Sequence, residues 1–193
     1  MGRSLLIISL LFNTAFVFAQ KPDSTIAKSA KTRNIDGTAM TSANDLVTNI
    51  ALSPQLTTLS NAIKASALTD TLRSGSITFF APVNKAFEKL APGLIDSLIL
   101  PAHQAELTIL LKNHAIPGKI TSKDILRQIK AGNGQASFTT LSGGIITARI
   151  NENRNIVLTD ETGDQSIITR LDIEQSNGML FIVNAVLLPK AKQ

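Results

Sequence analysis

The sequence predicts an α+β fold. Apolar residues recur at helical spacings of three and four between residues 46 and 131, whereas five runs that alternate or are rich in β-branched residues fill residues 136–187. One apolar run stands apart: Thr78-Phe79-Phe80-Ala81 stops at Pro82 and passes into a helical pattern. A single early strand therefore belongs with a set of late ones. Helices first and strands afterwards, without βαβ alternation, argue for antiparallel hairpins packed against helices.

Leu46, Val47 and Ile50 share one helical face. Ser53 before Pro54 reads as an N-cap followed by proline at the first helical position, and Leu56, Leu59, Ile63 and Ala67 continue as an amphipathic helix. A turn over residues 70–73 leads to Gly75 and the early strand. Pro82 ends that strand because it lacks an N–H. Asn84 is placed to cap a helix over residues 85–90. Ala91-Pro92-Gly93 breaks the chain before a short helix over 94–100, and Pro101 opens a longer one carrying Leu107, Leu110 and Leu111. His114-Ala115-Ile116 leaves it extended, and Pro117-Gly118 turns. Thr121 and Asp124 have capping-box spacing before Ile125, Leu126 and Ile129, and Gly132-Asn133-Gly134 stops that helix.

Strands are expected over residues 136–141, 145–151, 156–160, 166–173 and 179–187. Turn clusters separate them: Ser142-Gly143-Gly144, Glu152-Asn153-Arg154-Asn155, Thr162-Gly163-Asp164 and Ser176-Asn177-Gly178. In the last strand Met179, Phe181 and Val183 face one way, and Leu180 and Ile182 the other. Both faces are apolar, so this strand is expected to be buried on both sides.

The ends of the chain differ from its middle. Arg3, the apolar run over residues 5–12 and Val17-Phe18-Ala19 have the layout of an export signal over residues 1–19, cleaved before Gln20. The run is short for a bilayer anchor, which takes roughly 20 apolar residues. Residues 20–44, rich in Ser, Thr, Ala and Lys, read as a flexible leader, with the domain over 45–189 and a basic tail over 190–193. There is no cysteine, which excludes disulfides. A folding unit of this size buries roughly 70% of its unfolded surface and needs no such staple.

The net charge of +5 resides in the ends, because residues 45–189 carry 12 Lys and Arg against 12 Asp and Glu. Trp and Tyr are absent, and five Phe follow Gln20. Nucleic-acid binding needs basic surface and stacking rings, so this composition argues against it, and against lectin-type sugar stacking.

Thr78-Phe79-Phe80-Ala81-Pro82-Val83-Asn84-Lys85-Ala86-Phe87 and Ser176-Asn177-Gly178-Met179-Leu180-Phe181-Ile182-Val183-Asn184-Ala185-Val186-Leu187-Leu188-Pro189 together resemble the two signature segments of the fasciclin (FAS1) domain family. Pro82, Asn84, Asn177 and Gly178 are the structural markers of those segments. The likeness extends through Asn113-His114-Ala115-Ile116-Pro117-Gly118-Lys119 and the Leu141-Ser142-Gly143-Gly144 hairpin. It implies a wedge of two antiparallel-rich β-sheets, sandwich-like, flanked by several helices, in a single-domain exported bacterial member. It also implies adhesion or matrix association through protein or polysaccharide partners, with no catalysis and no cofactor. Two family sites map onto this chain. A Tyr-His pair after the long helix falls on Asn113 and His114, keeping the His and losing the Tyr. Integrin-associated motifs ending in Asp-Ile fall on Asp172 and Ile173.

His114 has two readings: a partner contact or pH switch, or a histidine whose ring nitrogens bond backbone groups. Asp172 is either adhesive or a brace for the Asn-Gly turn. His103 reads as solvated. Two His without Cys argue against structural zinc, and Asp160, Glu161 and Asp164 lack the spacing of a calcium loop and read as a solvated turn. No Gly-x-Ser-x-Gly elbow occurs. The expected function is an exported, monomeric adhesion module, periplasmic, surface-associated or secreted, with no span after signal cleavage. The alternative is a carrier of a small apolar ligand, carotenoid-like, in a groove between helices and sheet.

Overall fold

A computed structural model describes residues 29–190. The expected export signal over residues 1–19, residues 20–28 of the expected leader and residues 191–193 of the expected tail lie outside the described residues.

The leader departs from expectation. Strands β1 (Thr32–Ile35) and β2 (Thr38–Thr41) form an antiparallel hairpin. Its turn is Asp36-Gly37, with φ of 50° and 90°. A two-residue hairpin turn of this kind requires positive φ at both positions. Ile35 and Met40 then bury against the domain, so this part of residues 20–44 is ordered rather than flexible.

Helix α1 (Leu46–Leu52) starts where the Asp45 carboxylate accepts Thr48 N–H at 2.6 Å. The Ser53-Pro54 start is a 3₁₀ turn, Pro54–Leu56, before α2 (Thr57–Ala65), and Ser53 makes no side-chain cap there. The expected turn over 70–73 is a helix, α3 (Thr69–Ser74), because Leu72 is drawn fully inside. Then come β3 (Ile77–Pro82), α4 (Asn84–Phe87), α5 (Leu94–Leu98), a 3₁₀ turn at Pro101–His103, α6 (Gln104–Asn113), β4 (Ala115–Pro117) and α7 (Ser122–Ala131). The Thr121/Asp124 capping box opens α7 in both directions. Five strands complete the fold: β5 (Gln135–Thr139), β6 (Ile145–Ile150), β7 (Ile156–Thr159), β8 (Gln165–Gln175) and β9 (Gly178–Val183).

Seven strands form one ladder in the order β4-β3-β9-β8-β7-β6-β5. All pairs are antiparallel except β3 with β9, which run parallel from Ile77↔Gly178 to Pro82↔Val183. The two sheets of the wedge are continuous through β8, which pairs with β7 at one end and β9 at the other, and slips register near Arg170. Leu141 N–H donates to the Ala115 carbonyl at 2.8 Å, bringing the end of β5 back toward β4. The ladder is thereby nearly closed.

Strands β3 and β9 divide two cores. Phe79, Ala81, Leu180 and Ile182 pack against α1, α2, α3 and α6 through Leu46, Leu59, Leu72 and Leu107. Phe80, Met179, Phe181 and Val183 face the other core, with Ile125 of α7 and Phe138, Ile146, Leu158 and Ile168 of β5 to β8. Phe80 and Phe181 stack there with centroids 5.6 Å apart. All six residues of β9 are buried, as its two apolar faces predict. Each large side chain so buried contributes roughly 1.5–3 kcal/mol.

Candidate functional site

The residues singled out by sequence fall into two places. Helix α6 ends at the first, and Asn113 and His114 turn inward, with exposures of 0% and 1%. Asn113 donates to the Leu187 carbonyl at 3.2 Å and accepts from Ser142 Oγ at 3.1 Å. His114 Nδ1 bonds the Leu110 carbonyl at 2.9 Å. A carbonyl only accepts, so that nitrogen carries the proton and Nε2 accepts Leu187 N–H, also at 2.9 Å. The ring stacks on Phe79 at 6.3 Å. Burial pushes the His114 pKa down to about 4, against the opposing influence of the Leu110 carbonyl and the Asp160 charge.

Asp160 belongs to the same assembly. The sequence predicts a solvated turn here, yet the exposure of Asp160 is 6%. One oxygen accepts Thr162 N–H at 2.9 Å and Asp164 N–H at 3.1 Å, and the other accepts Leu188 N–H at 2.7 Å. Side chains from α6 and the β7–β8 turn therefore hold consecutive N–H groups of the segment after β9. The signal in the sequence is an Asp at the head of a Thr-Gly-Asp turn, placed to bond its own backbone two residues on. Beside this assembly is an open groove of about 630 Å³ lined by Glu106, Ile109, Ser142, Gly143, Gly144, Glu161, Pro189 and Lys190.

The second place is the irregular stretch of β8. Asp172 has φ of 53°, and its carboxylate accepts from Ser122 N–H at 2.7 Å and from Ser122 Oγ. It braces the start of α7 rather than the Asn-Gly turn. A carboxylate at a helix N-terminus satisfies free N–H groups and opposes the positive end of the helix dipole. Ile173, next in the chain, is 1% exposed and belongs to the helix-side core. Arg33 of β1, within the expected leader, donates to the Leu171 and Asp172 carbonyls at 2.6 and 2.8 Å. A groove of about 400 Å³ opens here, lined by Lys31, Arg33, Met40, Thr121, Lys123, Asp172, Ile173, Glu174 and Met179. The structure thus pairs Asn113 with His114 in the interior, and leaves Asp172 at a surface groove on another part of the fold.

Two of the four structural markers act as long-range clasps. Asn84 does not cap its own helix, where Val83 takes the N-cap position without a side-chain bond. It caps α2 instead: Oδ1 accepts Thr58 N–H at 3.0 Å, and Nδ2 donates to the Pro54 carbonyl and Thr57 Oγ1, both at 2.9 Å. Asn177 accepts Leu46 N–H at 3.0 Å and donates to the Leu72 and Arg73 carbonyls, tying the start of α1 to the end of α3. Pro82 is the last residue of β3, and Gly178 the first of β9.

Residues 54–189 match the fasciclin domain family. The chain belongs to the fasciclin family. The protein sll1483 of Synechocystis sp. is 30% identical over 160 residues, covering 82% of this chain and 81% of that one. Immunogenic protein MPT70 of Mycobacterium tuberculosis is 30% identical over 143 residues, covering 72% of this chain and 65% of that one. Among solved structures, a FAS1 domain pair from the insect cell adhesion molecule Fasciclin I aligns with a TM-score of 0.66 at 19% identity, over 75% of this chain and 51% of that chain. At that identity the likeness is one of fold, and it matches the expected FAS1 architecture. In this fasciclin domain the two signature segments are neighbouring parallel strands, β3 and β9, at the boundary between its cores. Among the described residues no helix is long and apolar enough to cross a membrane.

Proposed function

We propose that this fasciclin domain is an exported, non-catalytic adhesion or matrix-association module that binds surface protein or polysaccharide through its outer surface, as a monomer located in the periplasm, at the cell surface or outside the cell. The supporting observation is where the apolar volume goes. The space between helices and sheet is filled by Phe79, Ala81, Leu180 and Ile182 against Leu59, Ile63, Leu107 and Leu111, all at most 3% exposed. A carotenoid-like ligand needs that space, whereas an adhesive partner needs only the outside. In this reading Asn113, His114 and Ile173 serve binding as framework, and Asp172 serves it by fixing the start of α7. Membership of a family that includes a domain pair from a cell adhesion molecule supports the same assignment.

The test is retention of the purified protein on immobilised cell-surface extract, with an absorption spectrum of protein taken from its native source. Retention of colourless protein is the expected result. A visible absorption band in protein that the extract does not retain would establish the carrier reading instead.

A further inference from the structure

The pair Asn-Gly occurs twice in the chain, at Asn133-Gly134 and Asn177-Gly178. The same chemistry is open to both. The amide nitrogen of a glycine has no neighbouring Cβ to shield it, so it reaches the preceding Asn side-chain carbon and displaces ammonia. The fold treats the two pairs differently.

Asn177 is held on both sides of its amide. Oδ1 accepts Leu46 N–H at 3.0 Å, and Nδ2 donates to the Leu72 and Arg73 carbonyls at 2.5 and 2.9 Å. Gly178 is buried against the Ile77 backbone. Ring closure there must first break three hydrogen bonds within a packed corner. Asn133 stands at the other extreme. Gly132, Asn133 and Gly134 are all exposed, just beyond the last turn of α7. Among the described residues the Asn133 side chain makes no hydrogen bond, and the space a Cβ on Gly134 would enter is open. One bond restrains the site: Gly134 N–H donates to the Ile129 carbonyl at 2.8 Å, closing the helix with Asn133 at φ of 54°. It is a terminal bond on an exposed turn, and such ends open at little cost in free energy.

We propose that Asn133 is a site of spontaneous deamidation, and that the fold protects Asn177 from the same reaction. The Gly134 nitrogen gives up its proton to solvent base and bonds to Asn133 Cγ. The Cγ–Nδ2 bond breaks, and Nδ2 leaves as ammonia. Water then opens the cyclic imide at either carbonyl, leaving aspartate or isoaspartate. Nothing is oxidised or reduced. Either product sets a carboxylate beside the negative end of the α7 dipole.

The test incubates purified protein at neutral and alkaline pH, in buffer and in concentrated urea, and maps its peptides by mass spectrometry. In buffer the peptide carrying Asn133 is expected to gain the mass that separates an acid from an amide, faster at the alkaline pH. The peptide carrying Asn177 is expected to convert at least tenfold more slowly. In urea, which removes the protection, both are expected to convert at similar rates. Asn133→Gln, whose longer side chain disfavours ring closure, is expected to abolish the acidic form that ion exchange separates from fresh protein. Unchanged Asn133 in buffer overturns the site, and conversion in urea alone would then show that the bond to Ile129 suffices to protect it. Conversion of Asn177 in buffer as fast as Asn133 overturns the protection.

Discussion

Asn84 shows how a single side chain sets the packing of two elements. The corner between β3 and α4 delivers it to the start of α2, where it accepts an N–H that would otherwise be left free at the helix start and donates to the Pro54 carbonyl. Asn84→Ala is expected to lower unfolding free energy by about 1–2 kcal/mol, the upper range for a lost cap. Asn84→Asp keeps the acceptor and is expected to lose less. Thermal melts of the three proteins check this, and a variant order with Asp worse than Ala would contradict the cap geometry. The sequence makes Asn84 recognisable as a cap but not which helix it caps. Asn prefers such positions for a chemical reason that is local, whereas its partner here lies 26 residues earlier in the chain. The Thr121/Asp124 box was readable in full because donor and acceptor are both three residues apart. His114 was readable as a residue bonded to backbone. Its proximity to Asp160 was not, since it depends on where the β7–β8 turn meets the segment after β9.

Among the elements, β9 was legible and its pairing was not. Two apolar faces announce a strand buried on both sides, but nothing local reports that its neighbour is β3, about a hundred residues away and parallel to it. Gly178 carries that pairing: a Cβ there would lie 1.9 Å from the Ile77 carbonyl oxygen. No side chain fits without moving one strand. Gly178→Ala is therefore expected to cost about 3 kcal/mol, at the high end for overpacking, read as a lowered urea midpoint. A midpoint equal to wild type would mean that β3 and β9 do not approach so closely. The β1–β2 hairpin shows the opposite case. Its Asp36-Gly37 turn is visible in the sequence, but Ile35 and Met40 are too few to create a periodicity. The hairpin is held by tertiary contacts: Arg33 on the β8 carbonyls, Lys31 on Glu174 and Arg170 on Asp36. Arg33 also occupies backbone acceptors where β8 is irregular.

For the whole molecule, the buried imidazole couples fold stability to pH. His114 joins α6, β3 and the segment after β9, and Asp160 is the charged group that faces it. Its folded pKa of about 4 lies below the ordinary 6.5 because burial disfavours the charged ring. Protonating Nε2 also sets an N–H against the Leu187 N–H it now accepts. As pH falls, unfolded chains take up this proton first, so the stability that depends on a neutral ring is complete above pH 6.5 and is lost progressively down to about pH 4. The full loss is on the order of 3 kcal/mol, from about 1.4 kcal/mol per unit of pKa difference. Glu174 is also lowered, but from 4.5 to about 2, so its contribution falls away only in more acid solution. Urea midpoints between pH 7 and pH 5 therefore read mainly the histidine. Wild-type stability is expected to fall across that interval. His114→Gln, which keeps an acceptor without a titrating ring, is expected to start less stable and give a flatter profile. Parallel profiles for the two proteins would show that the pH response originates elsewhere in the chain.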